Sequence, residues 1–209
     1  MASAAIDRKS TIGLEFEFQA KSEGFCFIAG VDEVGRGCLA GPVVAGAVIL
    51  DLSNPLPEGL NDSKKLTAKK RDIIAKEIRE NALCIAIGQI EADEIDRLNI
   101  LEATKLAMLS AIGKLNPAAD FLLIDALKLS ASPLPQKAII KGDAISASIA
   151  AASIIAKVYR DNLMCELGKI YPEYGFAKHA GYGTKAHFEA LRNHGATEIH
   201  RKSFRGVES

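Results

Sequence analysis

Two adjacent carboxylates, Asp32 and Glu33, end an apolar run that starts at Phe25, and Gly35-Arg36-Gly37 follows at once. A second apolar run, Pro42 to Leu50, begins just beyond. Acids set between apolar strands are costly to bury unless something positive holds them, and a divalent cation with oxygen ligands can do so. Successive strand residues point to opposite faces, so both carboxylates serve one point only if the chain bends at the acids. The glycines can supply that bend and admit a ligand close to backbone N–H and C=O groups. The plain alternative is a hairpin with a glycine turn and two solvated acids, since these are ordinary turn residues. Two further acids, Asp125 and Asp143, each come after a short apolar run, 121–124 and 137–140. Taken singly, each reads equally well as a turn residue. Four carboxylates at one sheet edge would repel one another unless divalent cations neutralised them. Oxygen-only ligands select Mg²⁺ or Mn²⁺ over zinc, and two such ions about 4 Å apart suit hydrolysis of a phosphodiester.

The elements that must position these acids can be read from pattern. Strands are expected over 25–32, 42–50 and 83–90, the first two close enough in sequence for an antiparallel pair. Thr67 can cap a helix running to about Asn81 with Ile74 and Ile78 on its buried side. Residues 91–98 read as a short helical turn. From Ile100 to Leu115 an apolar stripe at helical spacing predicts a longer helix, which Asn116-Pro117 ends. The run 121–124 is a continuously apolar strand, as in a sheet covered on both faces, and 137–140 is a fifth. A helix between strands permits a parallel crossover, and ligands gather beyond the carboxyl ends of such strands. The Ala-rich stretch 146–167 reads as a buried helix that can lie close against the sheet. Residues 171–182 read as loop and 184–194 as a last helix. The lead-in, 1–24, is partly amphipathic, with a helix around 13–20 and no chemistry assigned to it.

Composition is that of an ordinary globular protein of 209 residues, half hydrophobic and a quarter charged. Four scattered cysteines without a C-x-x-C pair argue against a zinc site and suit a reducing compartment. No signal-peptide pattern and no membrane-length apolar run are visible, so a cytoplasmic location is expected. Net charge is zero, yet residues 1–60 carry four basic and eight acidic groups while 169–209 carry seven basic and four acidic. Five basic residues and no acid lie between Lys64 and Arg71. An acidic centre flanked by basic patches suits a metal-dependent enzyme acting on a polyanion, although a basic run can equally be a solvated helix face. The four histidines, His179, His187, His194 and His200, are read as surface or cap residues. One domain is expected: a core with its lead-in over 1–168, and a helical substrate-binding region over 169–209.

The pieces GVDEVGRGCLAGPVVAGAVIL, LNDSKKL, LNILEATKLAM, LLIDA, KGD, SIAAASIIAKVYRD, YPEYGF, GYGT and HGATEIHRKSF follow one another between about residues 28 and 207. In that order and spacing the chain resembles the ribonuclease HII family, the type 2 ribonucleases H. The resemblance implies an α/β ribonuclease H-like fold, with a mixed five-stranded sheet flanked by helices and a helical C-terminal extension. It implies cleavage of the RNA strand of RNA–DNA hybrids, and of duplex DNA 5′ to an embedded ribonucleotide, leaving 3′-OH and 5′-phosphate ends. By resemblance Asp32, Glu33, Asp125 and Asp143 are the catalytic, metal-binding acids for two Mg²⁺ or Mn²⁺ ions. Gly35, Arg36 and Gly37 match the loop that contacts the ribose 2′-OH and neighbouring phosphates, and Tyr182 matches the tyrosine that stacks on the sugar 3′ to the ribonucleotide. A 2′-OH both donates and accepts, so glycine-flanked backbone can read it. Lys64 and Lys65 fit phosphate contacts. Many relatives carry lysine where this chain has Ala180, so that contact is lost or passes to Lys178 or Lys185. A monomer is expected, with no membrane partner and no partner-docking motif in the tail. The rival readings are a ribonuclease HIII-like nuclease, disfavoured by the ~25 residues before the first strand, and a non-catalytic hybrid-binding protein, disfavoured by all four acids being present.

Overall fold

The computed structural model describes residues 12–207. Five strands form one mixed sheet: β1 (Ile28–Val34), β2 (Val43–Leu50), β3 (Ala82–Ile90), β4 (Phe121–Asp125) and β5 (Gln136–Ile139). Their order is β3-β2-β1-β4-β5, so the strand carrying Asp32 and Glu33 is central. β1, β2 and β3 are antiparallel neighbours, with Asp32 opposite Gly46 and Glu33 opposite Ala45. β4 joins β1 in parallel and β5 joins β4 in parallel. The carboxyl ends of β1, β4 and β5 therefore share one edge of the sheet.

The helices are α1 (Glu15–Ser22), α2 (Ala68–Asn81), α3 (Ala92–Leu98), α4 (Ile100–Gly113), α5 (Ala147–Ile170), α6 (Phe176–His179) and α7 (Lys185–His194). On one face Ala103, Ala107, Met108 and Ala111 of α4 pack on Val31, Ala45 and Ala47. On the other, Ile74 and Ile78 of α2 join Ala151, Ala152 and Ile155 of α5 over Val48 and Leu50. All eight residues of β2 are buried, which is why its sequence is apolar without alternation. Burial of each isoleucine of α2 contributes roughly 1.5–3 kcal/mol. The 24-residue α5 lies against the backbone of β1 and β2 because those strands carry glycine beneath it. A Cβ at Gly30 would run into the backbone of Ser148 and Ile149, and one at Gly46 would come 2.5 Å from the Ala152 carbonyl.

Local capping matches the sequence pattern. Thr67 caps α2 by accepting from Lys70 N at 3.3 Å, as the sequence predicts. Ser146 and Thr184 do the same for α5 and α7. The lead-in helix starts two residues later than expected, and the part of that reading over 1–11 lies outside the described residues. Its expected lack of a task is corrected: Glu17 is fully buried and accepts from Ser146 Oγ at 2.7 Å and Ser148 N at 2.9 Å, pinning α1 to the start of α5. The expected loop 171–182 contains a helical turn, Pro172–Tyr174, and then α6. Tyr174 and Phe176 stack with centroids 5.4 Å apart in a small core with Leu39, Met164 and Leu191, and that burial gives the segment regular structure.

Candidate active site at the carboxyl edge of the sheet

Asp32 and Glu33 are both still strand residues, and the chain turns only at Gly35, in the left-handed region at φ +91°. The expected bend at the acids is thus displaced by two residues, and the pair leaves the strand on opposite faces. Asp32 is buried and accepts from Glu33 N at 2.7 Å. Burial, then the neighbouring Glu33, holds its carboxyl well above the usual range, with Ser153 of α5 partly offsetting. Burial also raises Glu33, against the opposing pull of Arg36, whose Nη1 lies 3.4 Å from Glu33 Oε1. Asp125, the last residue of β4, accepts from Gly142 N at 2.7 Å. Burial raises Asp125 as well, opposed by that N–H and reinforced by Asp143. Asp125 thereby holds the helical turn Gly142–Ala144 that carries the buried Asp143.

Lys64 Nζ donates to Asp143 Oδ2 at 3.1 Å, so Lys64 stands at the acids. Despite partial burial, the Asp143 pair raises Lys64. Asp62 caps the turn Ser63–Lys65, and Ser63 Oγ meets Ser153 Oγ at 3.0 Å. Lys65, Lys69 and Lys70 are exposed, whereas Arg71 turns inward to the carbonyls of Ser63 and Leu66. The basic run is therefore part scaffold and part solvated face.

The donor set suits a hard cation. Glu33 Oε2 is buried without a hydrogen-bond partner, and three of the four acids are strained toward the neutral form, as expected where positive charge is wanted. Among the described residues no group of three or more His, Cys, Asp or Glu side chains is arranged to hold a metal ion. Mg²⁺-type ions are commonly held by one or two carboxylates together with waters and substrate phosphates, and that is the mode these residues fit.

The loop after β1 is tied to the C-terminal region. Cys38 pairs with Tyr182 as an antiparallel bridge, and Leu39 N donates to Gly181 O at 2.8 Å. Two fully buried arginines, absent from the sequence reading, lock this junction. Arg160 donates to the carbonyls of Pro42, Ala40 and Ala180 at 2.9, 3.1 and 2.8 Å. Arg201 donates to Gly41 O and, at 2.9 Å, to Arg36 O, and burial pulls it down to about 10. The only sequence signal for Arg160 is a charge inside an Ala-rich helix; Arg201 gives none.

The Tyr182 ring is partly exposed, with Lys157 Nζ 5.9 Å from its centroid. It borders a cleft of about 450 Å³ lined also by Arg71, Lys157, Asn162 and Lys178. Ala180 is left-handed (φ 48°) and contributes its carbonyl to Arg160; Lys178, not Lys185, is the lysine lining the cleft beside it. Gly37 and Arg36 are exposed beside this junction. The expectation for the histidines is corrected at two positions: His187 and His200 are buried, packed against Tyr174 and Phe176.

The family model described as Ribonuclease HII matches residues 29–207. A protein named Ribonuclease HII from Desulfitobacterium hafniense (strain DSM 10664 / DCB-2) is 58% identical over 195 residues, 93% of this chain and 75% of the relative. One of the same name from Aliivibrio fischeri (strain MJ11) is 58% identical over 186 residues, 89% of each chain. Among solved structures, the ribonuclease H2 from Pyrococcus horikoshii OT3 is similar with a TM-score of 0.72 at 28% identity, over 87% of this chain and 95% of that one.

Proposed function

Because the chain belongs to the ribonuclease HII family, and is an endoribonuclease acting on the RNA of RNA–DNA hybrids, we propose that it also cuts duplex DNA 5′ to an embedded ribonucleotide, using the carboxylate edge with the 35–37 loop and Tyr182. The non-catalytic and ribonuclease HIII-like alternatives give way to that family match. One observation carries the finer reading: the loop beside the acids and Tyr182 belong to one backbone ladder, through Cys38–Tyr182 and Leu39 N–Gly181 O. A sugar presented to the acids would meet both. The loop backbone can donate to and accept from a 2′-OH, and the tyrosine ring can cover the neighbouring sugar.

Asp32, Glu33, Asp125 and Asp143 would hold Mg²⁺ or Mn²⁺ in a two-ion site shared with substrate phosphate. Such ions supply stabilisation of the attacking and leaving oxygens of the phosphodiester. The chain's own residues do the rest. Asp125 fixes the Asp143 turn, Lys64 offsets the charge of Asp143, and Arg36 lies against Glu33. Lys65, Lys178 and Lys157 offer cations along the cleft for phosphates. Residues 169–209 act as the substrate-binding part of the same domain as the core 1–168. The same reading has the chain working as a monomer in the cytoplasm, in ribonucleotide removal and replication. Among the described residues no helix is long and apolar enough to cross a membrane, and all four cysteines are free.

The test is cleavage of three duplexes, one with a single embedded ribonucleotide, one a long hybrid and one all DNA, with and without Mn²⁺. Cutting 5′ to the single ribonucleotide, only with metal and never in the all-DNA duplex, is expected. Cleavage of the hybrid alone would remove the embedded-ribonucleotide reading.

A further inference from the structure

Tyr182 is held by histidines that the cleavage chemistry does not use. Its carbonyl faces His187 Nδ1 at 3.0 Å, and also accepts from Thr184 N at 2.8 Å. His187 Nε2 meets His200 Nε2 at 3.1 Å. His200 Nδ1 in turn faces Thr197 N at 3.0 Å and Thr197 Oγ1 at 2.8 Å. The two ends of this chain fix its protons. A carbonyl only accepts, so His187 Nδ1 bears hydrogen; a backbone N–H only donates, so His200 Nδ1 is bare. His200 is then protonated on Nε2 and donates to the bare Nε2 of His187. Charging His187 would set two N–H groups against each other, so both rings are neutral, as their burial favours.

Every bond runs one way, from Thr197 N–H through His200 and His187 to the Tyr182 carbonyl. The other backbone group of Tyr182 is treated alike: its N–H donates to the His179 carbonyl at 2.9 Å. The His179 ring lies on His187, centroids 4.8 Å apart and planes 18° from parallel, and its Nε2 donates to Tyr174 O at 2.8 Å. The rings sit among Tyr174 and Phe176, so none can swing without repacking that core. A neutral imidazole pair with its tautomers fixed from both ends is a stiff spacer of defined length.

We propose that His187 and His200 are positioning residues: a one-way hydrogen-bonded relay, anchored on the Thr197 N–H, that sets where the Tyr182 ring meets the sugar. The inference rests on the reading of Tyr182 as a substrate contact. Duplex affinity comes mostly from phosphates, so a displaced ring costs turnover rather than binding.

The experiment has two arms on the full chain. In ¹⁵N NMR of the imidazoles at neutral pH, His187 should carry its hydrogen on Nδ1 and His200 on Nε2. In kinetics on a duplex with one embedded ribonucleotide, His187→Phe fills the space without a donor and should lower kcat on the order of tenfold, with KM little changed. His187→Asn restores an N–H near the Nδ1 position and should recover kcat to within about threefold of wild type. A His187 hydrogen found on Nε2, or equal kcat for the Phe and Asn variants, overturns the relay. Tyr182→Ala is run beside them. If it cleaves like wild type while the tautomers are as stated, the substrate role of Tyr182 has failed, and the positioning role falls with it.

Discussion

The ammonium group of Lys64 lies 3.1 Å from Oδ2 of Asp143, with the Lys64 side chain 77% exposed and that of Asp143 8%. A mobile cation thus covers a buried acid at the place where a divalent ion would bind. Entry of that ion must share or displace the pair. Lys64→Met should therefore tighten Mn²⁺ binding in the absence of nucleic acid, by about two- to fivefold if the pair is worth up to about 1 kcal/mol. Titration of free Mn²⁺ by electron paramagnetic resonance reads this directly. Unchanged or weaker Mn²⁺ binding would mean that Lys64 does not compete at Asp143.

Asp32 should reveal its strain through pH. Its folded pKa is raised, so between the unfolded value and the folded one the native state binds more protons and stability falls as pH rises. Asp32→Asn should then melt higher than wild type in EDTA at pH 8, by about 2–4 °C per kcal/mol relieved. The advantage should shrink toward pH 5, where the wild-type carboxyl takes up its proton, and activity should be lost throughout. A variant that melts lower at both pH values contradicts the assignment of strain to Asp32.

Gly35 and Gly37 should part company. Gly35 sits at φ +91° with its missing Cβ aimed at the Arg160 side chain, so Gly35→Ala should cost about 1–3 kcal/mol of stability. A Cβ at Gly37 meets nothing within 4 Å. Gly37→Ala should therefore leave urea unfolding unchanged while slowing cleavage at ribonucleotides about tenfold or more, because the methyl group stands where the 2′-OH must approach. Normal cleavage by Gly37→Ala, with all-DNA duplexes still rejected, would place sugar discrimination outside this loop.

His200 gives the opposite pH sign to Asp32. Burial, then the neighbouring His187, lowers it from 6.5 to about 4. Its contribution is present above pH 6.5 and is lost as pH falls from there to about 4, roughly 2–4 kcal/mol in all. His200→Asn should flatten the fall of unfolding free energy over that window, measured by urea titration at several pH values. A slope equal to wild type would mean that other groups drive the acid loss.

What was legible in the sequence was local or carried by a whole run. Thr67 reads as a cap because its oxygen serves an N–H three residues on, and β2 reads as a doubly covered strand because all its residues are apolar. The placement of Asp125 and Asp143 after successive strands was legible too, and the structure puts both on the carboxyl edge beside β1. Contacts distant along the chain were not. Glu17 looks like a surface charge until Ser146 and Ser148 come to it, and Lys64 reads as one of five solvated cations until Asp143 does. The displaced bend at Gly35 escaped for a different reason: pairing with Gly46 and Ala45 keeps Asp32 and Glu33 extended, which outweighs the local turn preference of the residues that follow.

The arginine junction has a mechanical consequence. Arg160 and Arg201 grip carbonyls on the loop after β1, Arg160 also grips Ala180, and the backbone of 181–201 bonds to Leu39 and Gly41. The wall that carries Tyr182 is thereby welded to the wall that carries the glycine loop, and neither can swing outward without exposing buried guanidinium charge. The enzyme works as a fixed jaw rather than a clasp. Strand ends leave it by the nucleic acid sliding or unbending out of the cleft, so turnover should follow the stiffness of the duplex more than any opening of the protein.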